Sequence, residues 1–143
     1  MNDEQRKFLA DRLRRAAREQ PDLRKLKSLL LRFGGVFIVA PSDVDPDVEK
    51  LLEAGFVMTG PITMKKMKSS MCHQNVAAVW SARRSGMVGI ATGYALSDDG
   101  LWRQHSWGLL RDGVLETTVP RVKYFGILLQ TGEADHFAQC NVA

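Results

Sequence analysis

Apolar residues recur at helical spacing from Asp3 to about Arg18, with Phe8, Leu9, Leu13 and Ala16 near one face. Gln20-Pro21-Asp22 breaks that helix, and Asp22 is placed to cap a second one running to about Arg32, with Leu26, Leu29, Leu30 and Leu31 as its apolar face. Gly34-Gly35 ends it, and Val36 to Ala40 reads as a buried strand. Asp45-Pro46 opens a short helix, with Asp45 as N-cap, that ends near Gly55. Phe56 to Met64 is extended and interrupted at Gly60-Pro61, and Lys65 to Ser70 has the composition of a loop. From Gln74 to Arg84 the pattern is helical again, with Val76, Ala77, Val79 and Trp80 inward and Ser85-Gly86 as the stop.

The last third alternates with period two. Val88–Leu96, Leu101–Leu110 and Val114–Val119 predict three antiparallel strands joined by turns at Ser97–Gly100 and Arg111–Gly113. Tyr124–Leu129 is a fourth strand, and Glu133–Cys140 a short closing helix. Helices first, then a cysteine-bearing helix, then a meander define an α+β class, with that helix packed on an antiparallel sheet. One domain accounts for the whole chain: a basic helical segment, 1–34, and an α+β core, 35–143.

With 143 residues, 45% of them hydrophobic, the chain can bury a real core. Its longest apolar runs, Val36–Ala40 and Phe125–Leu129, are far shorter than a membrane span, and Met1–Arg15 has no apolar signal region. The expectation is a cytoplasmic protein with no membrane partner. Cys72 and Cys140 are then free thiols. Residues 1–34 hold ten Lys/Arg against five Asp/Glu and the rest of the chain ten against eleven, so the net positive charge belongs to the first two helices. Arg12, Arg15, Arg18 and Lys25 are the residues there that would meet a nucleic acid or an acidic protein partner. The same charge run also fits an ordinary solvated helix face.

Chemistry is suggested by order. Cys72 stands at a helix start, and His105 and Glu116 follow on successive strands. A helix N-terminus lowers a thiol pKa, an imidazole takes the proton, and a carboxylate orients the imidazole. Whether Glu116 reaches His105 depends on the turn. A two-residue loop leaves it about 13 Å along the strand, at ~3.3 Å per residue. A three-residue loop turns it away and presents Thr117 instead. A four-residue loop, Leu110–Gly113, pairs Glu116 with Trp107, diagonal to His105 at ~7 Å and within reach of a long side chain. Gly113 would then take the positive φ common at the end of such a loop. Gln74, Asn75 and Gln104 are the residues from which a second oxyanion donor would come, beside the Cys72 N–H, and Trp107 and Tyr94 would line a substrate groove.

Met71–Thr118, with cysteine at a helix start, then histidine and a polar partner on the next two strands, resembles the papain-like superfamily of cysteine peptidases and amidases, nearest to the NlpC/P60 type. The resemblance implies a papain-like core with Cys72 as nucleophile, His105 as general base and Glu116 as orienting group. It implies a hydrolase or acyltransferase acting on an amide or thioester bond, with no cofactor. Where that family commonly has Asp before the cysteine, a small residue after it and His in the third position, this chain has Met71, His73 and Glu116. A competing arrangement would gather His136 and Cys140, four apart, with Cys72 and His73 or His105 around zinc; no metal is expected. The alternative function is a non-enzymatic domain that binds through its basic helices.

Overall fold

A computed structural model describes residues 1–83 and 86–142. Its helices are α1 (Asp3–Glu19), α2 (Asp22–Phe33), α3 (Val48–Ala54), α4 (Cys72–Ala82) and α5 (Thr131–Cys140). Its strands are β1 (Phe37–Ile38), β2 (Phe56–Met58), β3 (Ile62–Met64), β4 (Gly89–Leu96), β5 (Leu101–Leu109), β6 (Val114–Glu116) and β7 (Lys123–Leu129). The class is α+β, as the order of patterns implies. The expected helix stop at Ser85 lies outside the described residues.

The strands form one sheet in the order β2-β7-β4-β5-β6-β3, with β1 joined to the start of β5. It is mixed rather than wholly antiparallel: β1 runs parallel to β5 and β3 parallel to β6. Both parallel strands are reached through long connections, which a parallel pair requires and a hairpin cannot supply. The central β4 pairs with β5 on one side and β7 on the other, so the fourth strand of the expected meander returns beside the first.

Strand alternation divides the core in two. Ile90, Tyr94 and Leu96 of β4, with Trp102, Phe125 and Ile127, face the helices. Leu13, Leu23, Leu26, Leu30, Val48 and Leu51 of α1, α2 and α3 cover one end of that face. Val76 of α4 and Ala134 of α5 cover the other. On the opposite face, Ala91, Ala95, Trp107, Val114 and Tyr124 pack with Met58.

Several local expectations are corrected by tertiary contact. Phe8 is 60% exposed, and Ala17 takes its place in the core with Leu9 and Leu13. Asp22 does not cap α2; it pairs with Lys25 across one turn at 3.6 Å. Asp45 is not the α3 cap either, because α3 begins three residues later behind Asp47. Instead Asp45 is buried and its carboxylate accepts from the Tyr94 hydroxyl and the Asp47 N–H, each at 2.9 Å. A buried carboxylate needs such donors more than a helix end needs that cap. Val36 is exposed, and only Phe37–Ile38 of the expected strand pair.

Candidate functional site

Leu109 pairs with Val114 and Gly108 with Leu115, leaving Leu110–Gly113 as a four-residue loop closed by a Leu110 N–H to Gly113 carbonyl bond of 2.9 Å. Carried one residue past its last pair, that register sets Trp107 opposite Glu116 and Glu116 diagonal to His105. Gly113 owes its place to something other than positive φ, which it does not have. A Cβ there would run into the Pro61 carbonyl oxygen, which accepts from the Val114 N–H at 2.9 Å. The turn is therefore packed against the start of β3.

On this frame His105 Nε2 and Glu116 Oε1 lie 2.8 Å apart, with His105 1% and Glu116 0% exposed. Glu116 is held at both oxygens. Oε1 also accepts from the Tyr124 hydroxyl at 2.9 Å, and Oε2 accepts from the backbone N–H and the hydroxyl of Thr118, each at 3.0 Å. Arg121 Nε stands 3.9 Å from Oε1. The His105 ring stacks on Trp107 at 5.9 Å and on Tyr124 at 6.3 Å between centroids. Gly126 makes room for the indole, since a Cβ there would lie 2.8 Å from the far end of the Trp107 ring. The imidazole thus has one nitrogen fixed by a carboxylate and its plane fixed by aromatics.

Cys72 acts on the same imidazole. The outer edge of β5 is paired with β1 at Leu101–Trp102 and with β6 at Gly108–Leu109, and the gap between is where the first residue of α4 meets it. His105, the Ser106 backbone N–H and the Arg121 guanidinium all stand near enough to the Cys72 sulfur to stabilise its thiolate. Burial alone pushes the thiol pKa up, but the His105 bond and charge, the Ser106 N–H and the Arg121 guanidinium outweigh it and hold it below its ordinary 9.0. For His105, burial disfavours the charged ring, yet the hydrogen bonds to Cys72 and Glu116 and their charges raise its pKa above 6.5. For Glu116, burial works upward, and His105, Thr118 and Tyr124 bring the pKa below 4.5. All three directions favour a thiolate beside an imidazolium beside a carboxylate.

The loop into Cys72 is anchored as well. The Lys65 and Met67 N–H groups donate to the Glu116 and Thr117 carbonyls at 2.9 and 2.7 Å, extending β3 along β6. Asn75 Nδ2 donates to the Lys68 carbonyl at 2.8 Å. Ser70, two residues before the cysteine, has φ of 60°. His73 Nδ1 meets Ser106 Oγ at 2.6 Å, and Ser106 Oγ donates to Thr92 Oγ1 at 2.9 Å, tying the first turn of α4 to β5 and β4.

The remaining sequence expectations divide. Tyr94 is fully buried on the helix-covered face and bonded to Asp45, so it lines no groove beside Cys72. Asn75 is buried with its amide committed to Lys68, which removes it as a free oxyanion donor. Gln104 is exposed but alternates onto the face opposite His105. Gln74 is half-buried in the first turn of α4. Trp107 sits against His105, wholly buried, with its Nε1 unpaired among the described residues. Thr117 is turned away from His105 by the four-residue loop. Arg103 pairs with Asp99 at 2.7 Å.

On the basic helices, Arg12 donates to the Ala40 carbonyl at 2.6 Å and Lys25 pairs with Asp22, whereas Arg15 and Arg18 are exposed. His136 Nε2 and Cys140 Sγ are 3.7 Å apart on α5. Among the described residues no three His, Cys, Asp or Glu side chains are grouped to hold a metal ion. Nor is any described helix long and apolar enough to cross a membrane.

Sequence reasoning missed Tyr124, Thr118 and Arg121 around Glu116, and the His73–Ser106–Thr92 chain. Tyr124 had a signal of sorts, because a buried phenol needs an acceptor. No family model, curated protein or solved structure matches this chain.

Proposed function

We propose that the protein is a papain-like cysteine hydrolase or acyltransferase that acts on an amide or thioester bond through Cys72, His105 and Glu116. The observation that carries this reading is one buried imidazole held at Nε2 by Glu116, 2.8 Å away, and standing near enough to the Cys72 thiol to act on its proton. A histidine placed only for packing needs neither a carboxylate on one side nor a sulfur on the other.

In this mechanism the Cys72 thiolate attacks a carbonyl carbon and forms a C–S bond. The oxygen takes up negative charge beside the first-turn N–H groups of α4, which no side-chain cap claims. The tetrahedral intermediate then collapses: the C–N or C–S bond to the leaving group breaks, and imidazolium His105 gives that group its proton. His105, neutral again, takes a proton from water or an acceptor amine, whose attack on the thioester releases Cys72. Glu116 stays ionised throughout and steadies the charged ring.

The test is site-by-site iodoacetamide labelling from about pH 4 to about pH 9, with Cys140 as internal reference and His105→Ala as control. Labelling of Cys72 well below the pH at which Cys140 reacts, lost in the control, is expected. A p-nitrophenyl ester should also leave an acyl group on Cys72, seen by mass spectrometry. Slow labelling of Cys72 that ignores His105, with no acyl group trapped, would sink the proposal.

A further inference from the structure

The strand that leads into Cys72 is the last one in the sheet. β3 has β6 as its partner, and among the described residues no strand covers its other edge. The carbonyl of Pro61 and the N–H groups of Lys65 and Met67 point inward to β6. By alternation the main-chain groups of Ile62, Met64 and Lys66 point outward. Every residue from 61 to 66 is exposed, including Ile62 at 37% and Met64 at 40%. The edge is nevertheless fixed, by β6 along its inner side and by Asn75 at Lys68. It is a formed template with an unfilled row of donors and acceptors, ending a few residues before the cysteine.

Charge selects among its occupants. Residues 54–97 contain five Lys/Arg and no Asp or Glu, and three of the five cations are Lys65, Lys66 and Lys68. A second copy pairing edge to edge would set these lysines against their own, a standard guard against self-association. A nucleic acid would meet the lysines, but the exposed edge residues 61–66 include no aromatic for a base to stack on. Alternating N–H and C=O groups at strand spacing match another polypeptide strand. Ile62 and Met64 share one side of that strand, and Thr63 and Lys65 the other.

We propose that the free edge of residues 62–67 docks an extended acidic segment of a polypeptide substrate, added to the sheet as a strand with apolar side chains over Ile62 and Met64 and carboxylates toward the lysines. Its role in delivering substrate rests on the reading of Cys72 as nucleophile; the docking itself does not.

The experiment measures fluorescence anisotropy of a fluorescein-labelled alternating Glu-Val octapeptide on the Cys72→Ser protein, against the Lys-Val counterpart. The Glu-Val peptide should bind at least about tenfold more tightly and weaken as salt rises. A Lys65→Glu/Lys68→Glu variant, checked for native circular dichroism, should reverse the preference. Methylating alternate amides of the Glu-Val peptide should abolish binding with the protein untouched, which separates strand addition from charge attraction. Indifference to peptide charge, indifference to N-methylation, or equal competition by an oligothymidylate of the same charge would overturn the proposal. So would concentration-dependent self-association that the double charge reversal removes. Fast Cys72 labelling without peptide binding refutes the docking edge and leaves the thiol chemistry standing. Peptide binding with an inert Cys72 upholds the edge and refutes the thiol chemistry.

Discussion

Two buried carboxylates on opposite faces of the sheet carry the same first contact. Asp45 accepts from Tyr94 on the helix-covered side, and Glu116 accepts from Tyr124 on the other, each at 2.9 Å. Both acids are almost wholly buried, and both accept a backbone N–H two residues onward, from Asp47 and Thr118. The difference lies in the remaining partner. Gln20 brackets the Asp45 backbone, its amide nitrogen donating to the Asp45 carbonyl at 2.6 Å and its oxygen accepting the Asp45 N–H at 3.0 Å. That cluster locks the α1–α2 turn to the chain before α3. Glu116 instead faces His105, and through it a thiol. Identical satisfaction of a buried acid thus serves a structural lock in one place and a polarised side-chain relay in the other. A tyrosine–carboxylate bond says nothing of chemistry until the acid's other oxygen contacts are known.

The strongest way to break this contrast is at Glu116. Glu116→Ala leaves His105, Tyr124 and Thr118 without their acceptor, and losing one partner of a buried charged pair costs about 3–5 kcal/mol. Urea unfolding should register that loss, and Cys72 labelling near neutral pH should slow toward the Cys140 rate. Asp45→Ala is expected to cost less, about 1–3 kcal/mol for the stranded Tyr94 hydroxyl and Asp47 N–H, with Cys72 labelling unchanged. A change in labelling there would deny the division of labour.

Smaller effects sharpen it. Tyr124→Phe and Tyr94→Phe each remove one donor and should each cost about 1 kcal/mol, a typical net value for a hydrogen bond, with somewhat more for an ionised acceptor. Of the two, Tyr124→Phe alone should shift the pH profile of Cys72 labelling, because it alone touches the carboxylate behind His105.

The pH dependence of stability is subtler. Glu116 titrates below its ordinary 4.5 in the folded chain, so its contribution is present above that value and is lost as pH falls through the depressed one. His105 titrates above 6.5, so its contribution is present below that value and is lost as pH rises through the raised one. The stability gap between the natural chain and Glu116→Gln should therefore narrow in acid. Chemical denaturation at a series of pH values would show it, and a gap that widens in acid would contradict the pairing.

Much of the fold could be read in advance because its signals are local. The helical spacing of Leu9 and Leu13, the glycines at 34 and 35 and the period-two run through β4 and β5 each depend on near neighbours. The candidate site was half legible for the same reason. Cys72 at a helix start and His105 on a strand are local facts, but the place of Glu116 behind His105 depended on the four-residue loop. That loop is settled by a contact with Pro61, some fifty positions away in the chain. The assignments that failed, Tyr94 as groove lining, Asn75 as free donor and Asp45 as cap, all turned on where a polar group finds a distant partner.

By itself, then, the sequence determined the α+β class, most helices and strands and the residue types available for thiol chemistry, because backbone periodicity and side-chain identity are properties of short segments. Tertiary structure alone decided that β7 lies beside β4, that β3 closes the sheet with an edge no described strand covers and that Glu116 stands behind His105 while Asp45 does not. Each of those depends on which buried polar groups satisfy one another across the fold, and that pairing is a property of the whole packed chain.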